Sequence, residues 1–151
     1  PGLMYQPAME TRIVSFATAN GKAWLACLDS KTSDRIATQE GIGSWSPQGV
    51  AGPNAHRSLA ALRSDLVKIR ARGYAVAVEE AEPGITAIAC SIIDPGSGCV
   101  LGTISVAGPS FRLPAERHAQ LSQDLNKAAL QIARILPGRT KAGAKKVAKH
   151  V

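Results

Sequence analysis

Aromatic residues are scarce in this chain of 151 residues, which has two Trp, two Tyr and two Phe. Its core must therefore be packed from Ala, Val, Ile and Leu, and a hydrophobic content of 45% supplies them. Cysteine is scarce too. Cys27, Cys90 and Cys99 form no CxxC pair and no zinc-ligand spacing, which excludes a disulfide framework and a structural zinc. An odd count without a framework suits a reducing compartment, and all three read as small buried apolar residues. No stretch reaches the roughly 18 apolar residues of a membrane span, and no secretory apolar segment opens the chain. Acids are missing from the end, where residues 139–151 carry Arg139, Lys141, Lys145, Lys146 and Lys149. Those five account for most of the net charge of +7 and leave +2 on the rest. The basicity thus belongs to a Gly/Ala/Lys tail, which reads as a disordered, solvated end rather than a nucleic-acid surface.

Catalytic motifs are missing as well. Gly21-Lys22 is no phosphate loop, because Phe16 stands where the first glycine is needed and Ala23 where the magnesium-binding hydroxyl is needed. Gly96-x-Gly98 lacks its third glycine at Leu101, so it is no dinucleotide fingerprint. Gly-x-Ser-x-Gly does not occur. His56, His118 and His150 fall in a loop, on the exposed side of a helix and in the tail, and read as solvated. Glu79 and Glu80 are neighbours in a strand-like run, so they point to opposite faces and cannot share one substrate as acid and base. Glu80 reads as a loop-satisfying or solvated carboxylate, while Glu79 can face a cavity. No catalytic residue, metal ligand or cofactor is expected.

What is present is an alternation of helices and short strands. Residues 1–11 have no period and form a lead-in, and Arg12–Phe16 reads as a short extended piece. Thr18 caps an apolar helical run through Leu28, and a second short helix covers Lys31–Thr38 with Ser30 as its cap. Gly41–Pro53 is punctuated by glycine and proline and makes a long loop, of the kind that binds or covers ligands. Ser58 caps a helix with Leu59, Leu62, Leu66 and Ile69 at spacings of three and four, and Gly73 stops it. Tyr74–Glu80, Ile85–Ile93 and Cys99–Ala107 read as three antiparallel strands, the last two joined by a hairpin at Asp94–Gly98. Pro114 opens a long amphipathic helix over residues 115–136, which Pro137-Gly138 ends.

The pleat sorts the hairpin into two faces. A turn centred near Gly96 sets Ile85 opposite Ala107, Ala87 opposite Ser105 and Ala89 opposite Thr103. These odd positions, extended by Ala75, Ala77 and Glu79, form a small, slightly polar face. The even positions Ile88, Cys90, Ile92, Val100, Ile104 and Val106 form a branched face for the helices at 58–72 and 115–136 to cover. Small residues suit either close packing or a ligand cavity. Beside them, the N–H groups of Ala19, Asn20 and Gly21 at a helix start favour a carboxylate or phosphate.

In combination, certain segments resemble the effector-binding domain of the IclR family of bacterial transcription regulators. They are Ala17-Thr18-Ala19-x-Gly21-Lys22-Ala23-x-Leu25-Ala26, Ile69-Arg70-x-x-Gly73-Tyr74, Glu79-Glu80, Gly84-Ile85-x-Ala87-Ile88-Ala89, and Ile104-Ser105-Val106-x-Gly108-Pro109 with Arg112-Leu113. The resemblance implies an α+β, GAF-like fold: an antiparallel sheet flanked by helices, lacking its first strands and so open to self-association at one edge. It implies an effector domain over 12–137, between the lead-in 1–11 and the basic tail 138–151. It implies a cytoplasmic small-molecule sensor, not an enzyme, that forms dimers or tetramers and meets DNA only through a winged helix-turn-helix domain absent from this chain. By position, the effector contacts fall on Val14, Ala19, Asn20, Ala77, Ile85, Ala87, Ser105 and Ala107, with Gly21 at the same helix start. Alanine at 77, 87 and 107, where some family members carry acids, thiols or hydroxyls, implies a roomier, less polar site and a bulky or aromatic acid as ligand. The alternatives are an oligomerisation module without ligand and an enzyme on a GAF-like scaffold.

Overall fold

The computed structural model describes residues 14–44 and 51–136. The lead-in, most of the Arg12–Phe16 segment's start, the middle of the Gly/Pro loop, Pro137-Gly138, the basic tail and His150 lie outside the described residues. A 3₁₀ turn at Ser15–Ala17 leads into α1 (Ala19–Ala26), where Thr18 Oγ1 accepts from Gly21 N–H as the N-cap. Helix α2 (Ser30–Gln39) starts at its expected cap, one residue earlier than the expected Lys31. Asp29 takes that role, accepting from Thr32 N–H, and Ser30 is the first helical residue. Ser58 caps α3 (Leu59–Arg72), and Gly73, at φ 81°, closes it in the left-handed region where a side chain is strained.

Three antiparallel strands follow, β1 (Ala75–Val78), β2 (Ile85–Ile93) and β3 (Val100–Pro109), in the order β1-β2-β3. A 3₁₀ turn at Ser110–Arg112 then leads to α4 (Ala115–Ile135). The register differs from expectation by two residues on β3: Ala87 pairs with Ala107, Ala89 with Ser105, and Ile85 with Pro109. Two local features cause this. The loop closes on the Ile93–Val100 pair rather than symmetrically about Gly96, and an irregularity between Ile92 and Ile93 then sets Ile92 opposite Gly102. An even shift preserves the faces, so the small side chains still share one side.

The helices divide between the two faces. On the even side α4 covers the sheet: Cys90 Sγ contacts the Ser122 carbonyl, and Ile92 packs with Ala129 and Ala133. On the odd side α1 lies across β1, β2 and β3. Helix α3 does not share the even face with α4. Its Leu62, Leu66 and Ile69 join α1 and the strand alanines Ala75, Ala77 and Ala89 in the main core. Helix α1 is consequently apolar nearly all round, as a helix caught between a sheet and a second helix must be. Of the cysteines, Cys90 is buried, but Cys27 is exposed at the end of α1 and Cys99 is half-buried in the hairpin.

Candidate functional site

The small-residue face and the start of α1 do meet. Asn20 Nδ2 donates to Ser105 Oγ at 2.9 Å, bridging α1 and β3 across 85 residues of sequence. Further along the helix, Ser91 Oγ donates to the Ala23 carbonyl at 2.9 Å. Alanine on both surfaces lets helix and sheet approach this closely. The centre of the face is therefore filled by α1, with Ala75, Ala77 and Ala89 buried. The end of the face is more open: Ile85 and Ala87 are half-buried, and Ser105 and Ala107 are exposed. Val14 and Ala19 are buried beside the helix start.

The first turn of α1 explains the position of Gly21. A Cβ there would run into the backbone carbonyl and Cα of Ser15. Ser15 is itself held, because its N–H and its hydroxyl both donate to Glu40 Oε2, at 2.8 and 2.6 Å. Gly21 N–H is taken by Thr18, so it is not free for a ligand as the sequence suggested. The N–H groups of Ala19 and Asn20 precede the first helical acceptor and find no acceptor among the described residues.

Lys22 anchors this helix from below. Its side chain is fully buried, and Nζ donates to Asp65 Oδ2 at 2.7 Å, Glu80 Oε1 at 2.7 Å and the Val76 carbonyl at 2.8 Å. Glu80 is thus neither loop-satisfying nor solvated, since it is the buried partner of a lysine from α1. His56 is likewise no solvated loop residue: it is half-buried with Nε2 2.9 Å from Asp65 Oδ2. His118 is half-buried too, with Nε2 2.9 Å from the Leu113 carbonyl. Glu79 takes a backbone role at the turn. Its φ is 54°, its carbonyl accepts from Asn54 N–H, and the Glu80 carbonyl accepts from Gly52 N–H. The ligand atoms of His56, Asp65 and Glu80 fall within 4.8 Å of one another, a grouping a metal ion also uses. The Lys22 ammonium, bonded to both carboxylates, already supplies the cation there.

Sequence patterns missed this network because its members are far apart in the chain and each looks ordinary alone. The one available signal was a lysine inside a helix with apolar residues on every side. Burial pushes the Asp65 carboxyl up, but hydrogen bonds from His56 and Lys22 outweigh burial and hold it well below the usual carboxylate range. Burial pushes Glu80 up, and the Lys22 charge and hydrogen bond only partly offset it. A depressed carboxyl stabilises the fold above its unfolded value of about 3.9 and loses that contribution as pH falls below it. Glu80 acts in the opposite sense, its contribution falling as pH rises through its folded value. Asp65→Asn is therefore expected to cost about 2 kcal/mol at pH 7, with the gap narrowing by about pH 2.5, where the unfolded-state carboxyl is protonated and the folded one is not. Urea unfolding at the two pH values measures it, and a gap that does not change with pH would contradict the assignment.

These features define a small α+β domain with helices on both faces of a short antiparallel sheet and a bridged helix start at its small-residue side. Residues 8–134 match the model of the bacterial transcriptional regulator IclR C-terminal domain, and the chain belongs to that family. It is 34% identical over 133 residues to the HTH-type transcriptional regulator BhcR of Paracoccus denitrificans, covering 88% of this chain and 45% of BhcR. It is 30% identical over 126 residues to the transcriptional repressor AllR of Escherichia coli, covering 83% of this chain and 44% of AllR. The chain therefore spans just under half the length of these curated relatives. The crystal structure of Thermotoga maritima IclR superposes with a TM-score of 0.68 at 30% identity, over 88% of this chain and 52% of that one. The inducer-binding domain of PobR from Acinetobacter, a double mutant complexed with 3-hydroxybenzoic acid, shares the fold at TM-score 0.69 and 20% identity. It covers 85% of this chain and 76% of that domain.

Proposed function

We propose that this chain is the small-molecule-sensing domain of an IclR-type transcription regulator and that its effector is an organic acid, aromatic rather than glyoxylate-sized. The carboxylate sits at the start of α1, on the N–H groups of Ala19 and Asn20, where the helix dipole is positive. The body of the acid lies along Ile85, Ala87 and Ala107, with Ala77 behind them at the edge of the part that α1 fills, Val14 beside it and Ser105 offering a hydroxyl. The observation that carries this reading is the Asn20–Ser105 bond, which sets two exchangeable polar groups at the open end of an apolar, small-residue face. The 3-hydroxybenzoate complex of PobR supports an aromatic acid on this fold. Alanine at 77, 87 and 107 favours bulk over polarity.

The rest of the regulator follows on the same footing. The domain acts in the cytoplasm and assembles as a dimer or tetramer. It reports to DNA through a winged helix-turn-helix domain outside this chain, and it turns over no substrate. The curated relatives are named as transcription regulators. The competing reading, an oligomerisation module without ligand, draws on the burial of Ala75, Ala77 and Ala89 beneath α1.

A thermal-shift screen of aromatic and short aliphatic acids separates the two. A ligand at a hundredfold excess over its Kd adds about 2.7 kcal/mol, or several degrees in Tm for a chain of this size. That rise is expected for aromatic acids and is expected to vanish in Ala87→Trp. Stabilisation by no acid would favour the ligand-free module. A preference for the smallest, most polar acid would overturn the size assignment.

A further inference from the structure

A hollow of about 550 Å³ lies between α3, β1 and the first turn of α4. It opens beside Val76 and Val78, the even positions of β1, opposite in the pleat to Ala75 and Ala77, and beside Glu80 in the turn that follows. It is therefore separate from the site at Asn20 and Ser105. Three features of its lining specify what it would hold. Glu80 is buried, and its Oε2 has no hydrogen-bond donor among the described residues, while Oε1 is occupied by Lys22. Val76 is half-buried, and Val78, 41% exposed on a strand, leaves apolar surface uncovered. Cations border the hollow: Lys68 is exposed, and the Arg72 guanidinium lies 3.9 Å from Asp65 and stacks on the Tyr74 ring.

Acceptor, apolar strip and cation stand close together here. Asp65 and Glu80 are both bonded to Lys22 Nζ, and the Arg72–Asp65 approach adds a guanidinium to the same cluster. A plain carboxylic acid would answer the cations and leave Glu80 Oε2 without a donor. A plain amine would satisfy Glu80 but offer no carboxylate to exposed Lys68, or to Arg72, whose only carboxylate among the described residues is Asp65 at 3.9 Å. A divalent ion is disfavoured by Lys22, whose ammonium bonds both carboxylates.

We propose that the hollow between α3 and β1 is a second small-molecule site that takes α-amino or α-hydroxy acids. The amino or hydroxyl group donates to Glu80 Oε2, the carboxylate pairs with Arg72 and Lys68, and the aliphatic side chain lies on Val76 and Val78. Such a site would let one domain read two metabolites.

Isothermal titration of the 151-residue chain with leucine, 2-hydroxyisocaproate and 4-methylpentanoate tests it. These share a branched carbon skeleton and differ at the α-position. Leucine or 2-hydroxyisocaproate is expected to bind at least tenfold tighter than 4-methylpentanoate. Val78→Trp, which fills the hollow, is expected to abolish that binding and leave binding of aromatic acids unchanged. Ala87→Trp is expected to do the reverse, and circular dichroism checks that both variants fold. Should Val78→Trp not fold, Lys68→Glu, at an exposed position, is expected to weaken leucine binding at least fivefold. Three results would overturn the proposal: binding of none of the three, equal binding of all three, or α-substituted acids lost in Ala87→Trp and kept in Val78→Trp. The last would assign those acids to the Asn20–Ser105 site.

Discussion

Lys22→Met is expected to destabilise the chain by about 3–5 kcal/mol, the usual cost of removing one partner from a buried ion pair. The side chain is fully buried and all three of its ammonium donors are used, on Asp65, Glu80 and the Val76 carbonyl. Methionine matches the stem and removes the charge. Asp65 keeps His56 and the more distant Arg72 guanidinium as partners. Among the described residues Glu80 keeps no hydrogen-bond partner, since its second oxygen already lacks a donor. Most of the cost therefore falls on Glu80, and Lys22→Met combined with Glu80→Gln is expected to recover a large part of it, because a neutral amide tolerates desolvation that a carboxylate does not. Urea unfolding of the single and double variants makes the comparison. A loss below about 1 kcal/mol for the single variant would mean that the pair behaves like a solvated surface bridge.

Gly21→Ala is expected to cost about 3 kcal/mol, at the upper end of what overpacking usually costs. Intrinsic helix propensity points the other way, favouring alanine over glycine by about 1 kcal/mol in a helix interior. The steric effect wins because the new Cβ meets backbone, not a movable side chain, at Ser15. That backbone is tied to Glu40 through both the N–H and the hydroxyl of Ser15. Relief requires moving the start of α1, so the variant should also weaken acid binding at Ala19 and Asn20. Thermal unfolding and acid titration of the same variant measure both effects, and a variant as stable as the parent would show that the 3₁₀ turn yields easily.

The sequence made much of this architecture readable, for identifiable reasons. The β2 boundaries were explicit because Gly84 and Asp94-Pro95 bracket a run with β-branched Ile85, Thr86, Ile88, Ile92 and Ile93 and no glycine or proline inside it. The start and stop of α3 were explicit because Ser58 and Gly73 are strong caps. Face assignment survived an incorrect hairpin register because the pleat has period two and the error was an even number. What escaped was set by tertiary contacts. Strand β3 runs past the expected Ala107 through Gly108-Pro109, because both residues pair with the start of β2. Helix α3 went to the α1 side because its leucines meet the strand alanines, a match that no local period encodes. Lys22 finds its carboxylates 43 and 58 residues away, and nothing in the spacing of Asp65 or Glu80 announces them. The Asn20–Ser105 bridge was half legible: each residue was placed at the site, but their contact closes part of the face that the sequence left empty.

A crystal structure of the chain with 3-hydroxybenzoate is the most direct test of the sensing role. Its carboxylate should accept from the N–H groups of Ala19 and Asn20, the Asn20–Ser105 bond should open, and the ring should lie against Ala87 and Ala107. An aromatic acid seated between α3 and β1, or an unchanged Asn20–Ser105 bridge with no acid beside it at saturating concentration, would contradict the account.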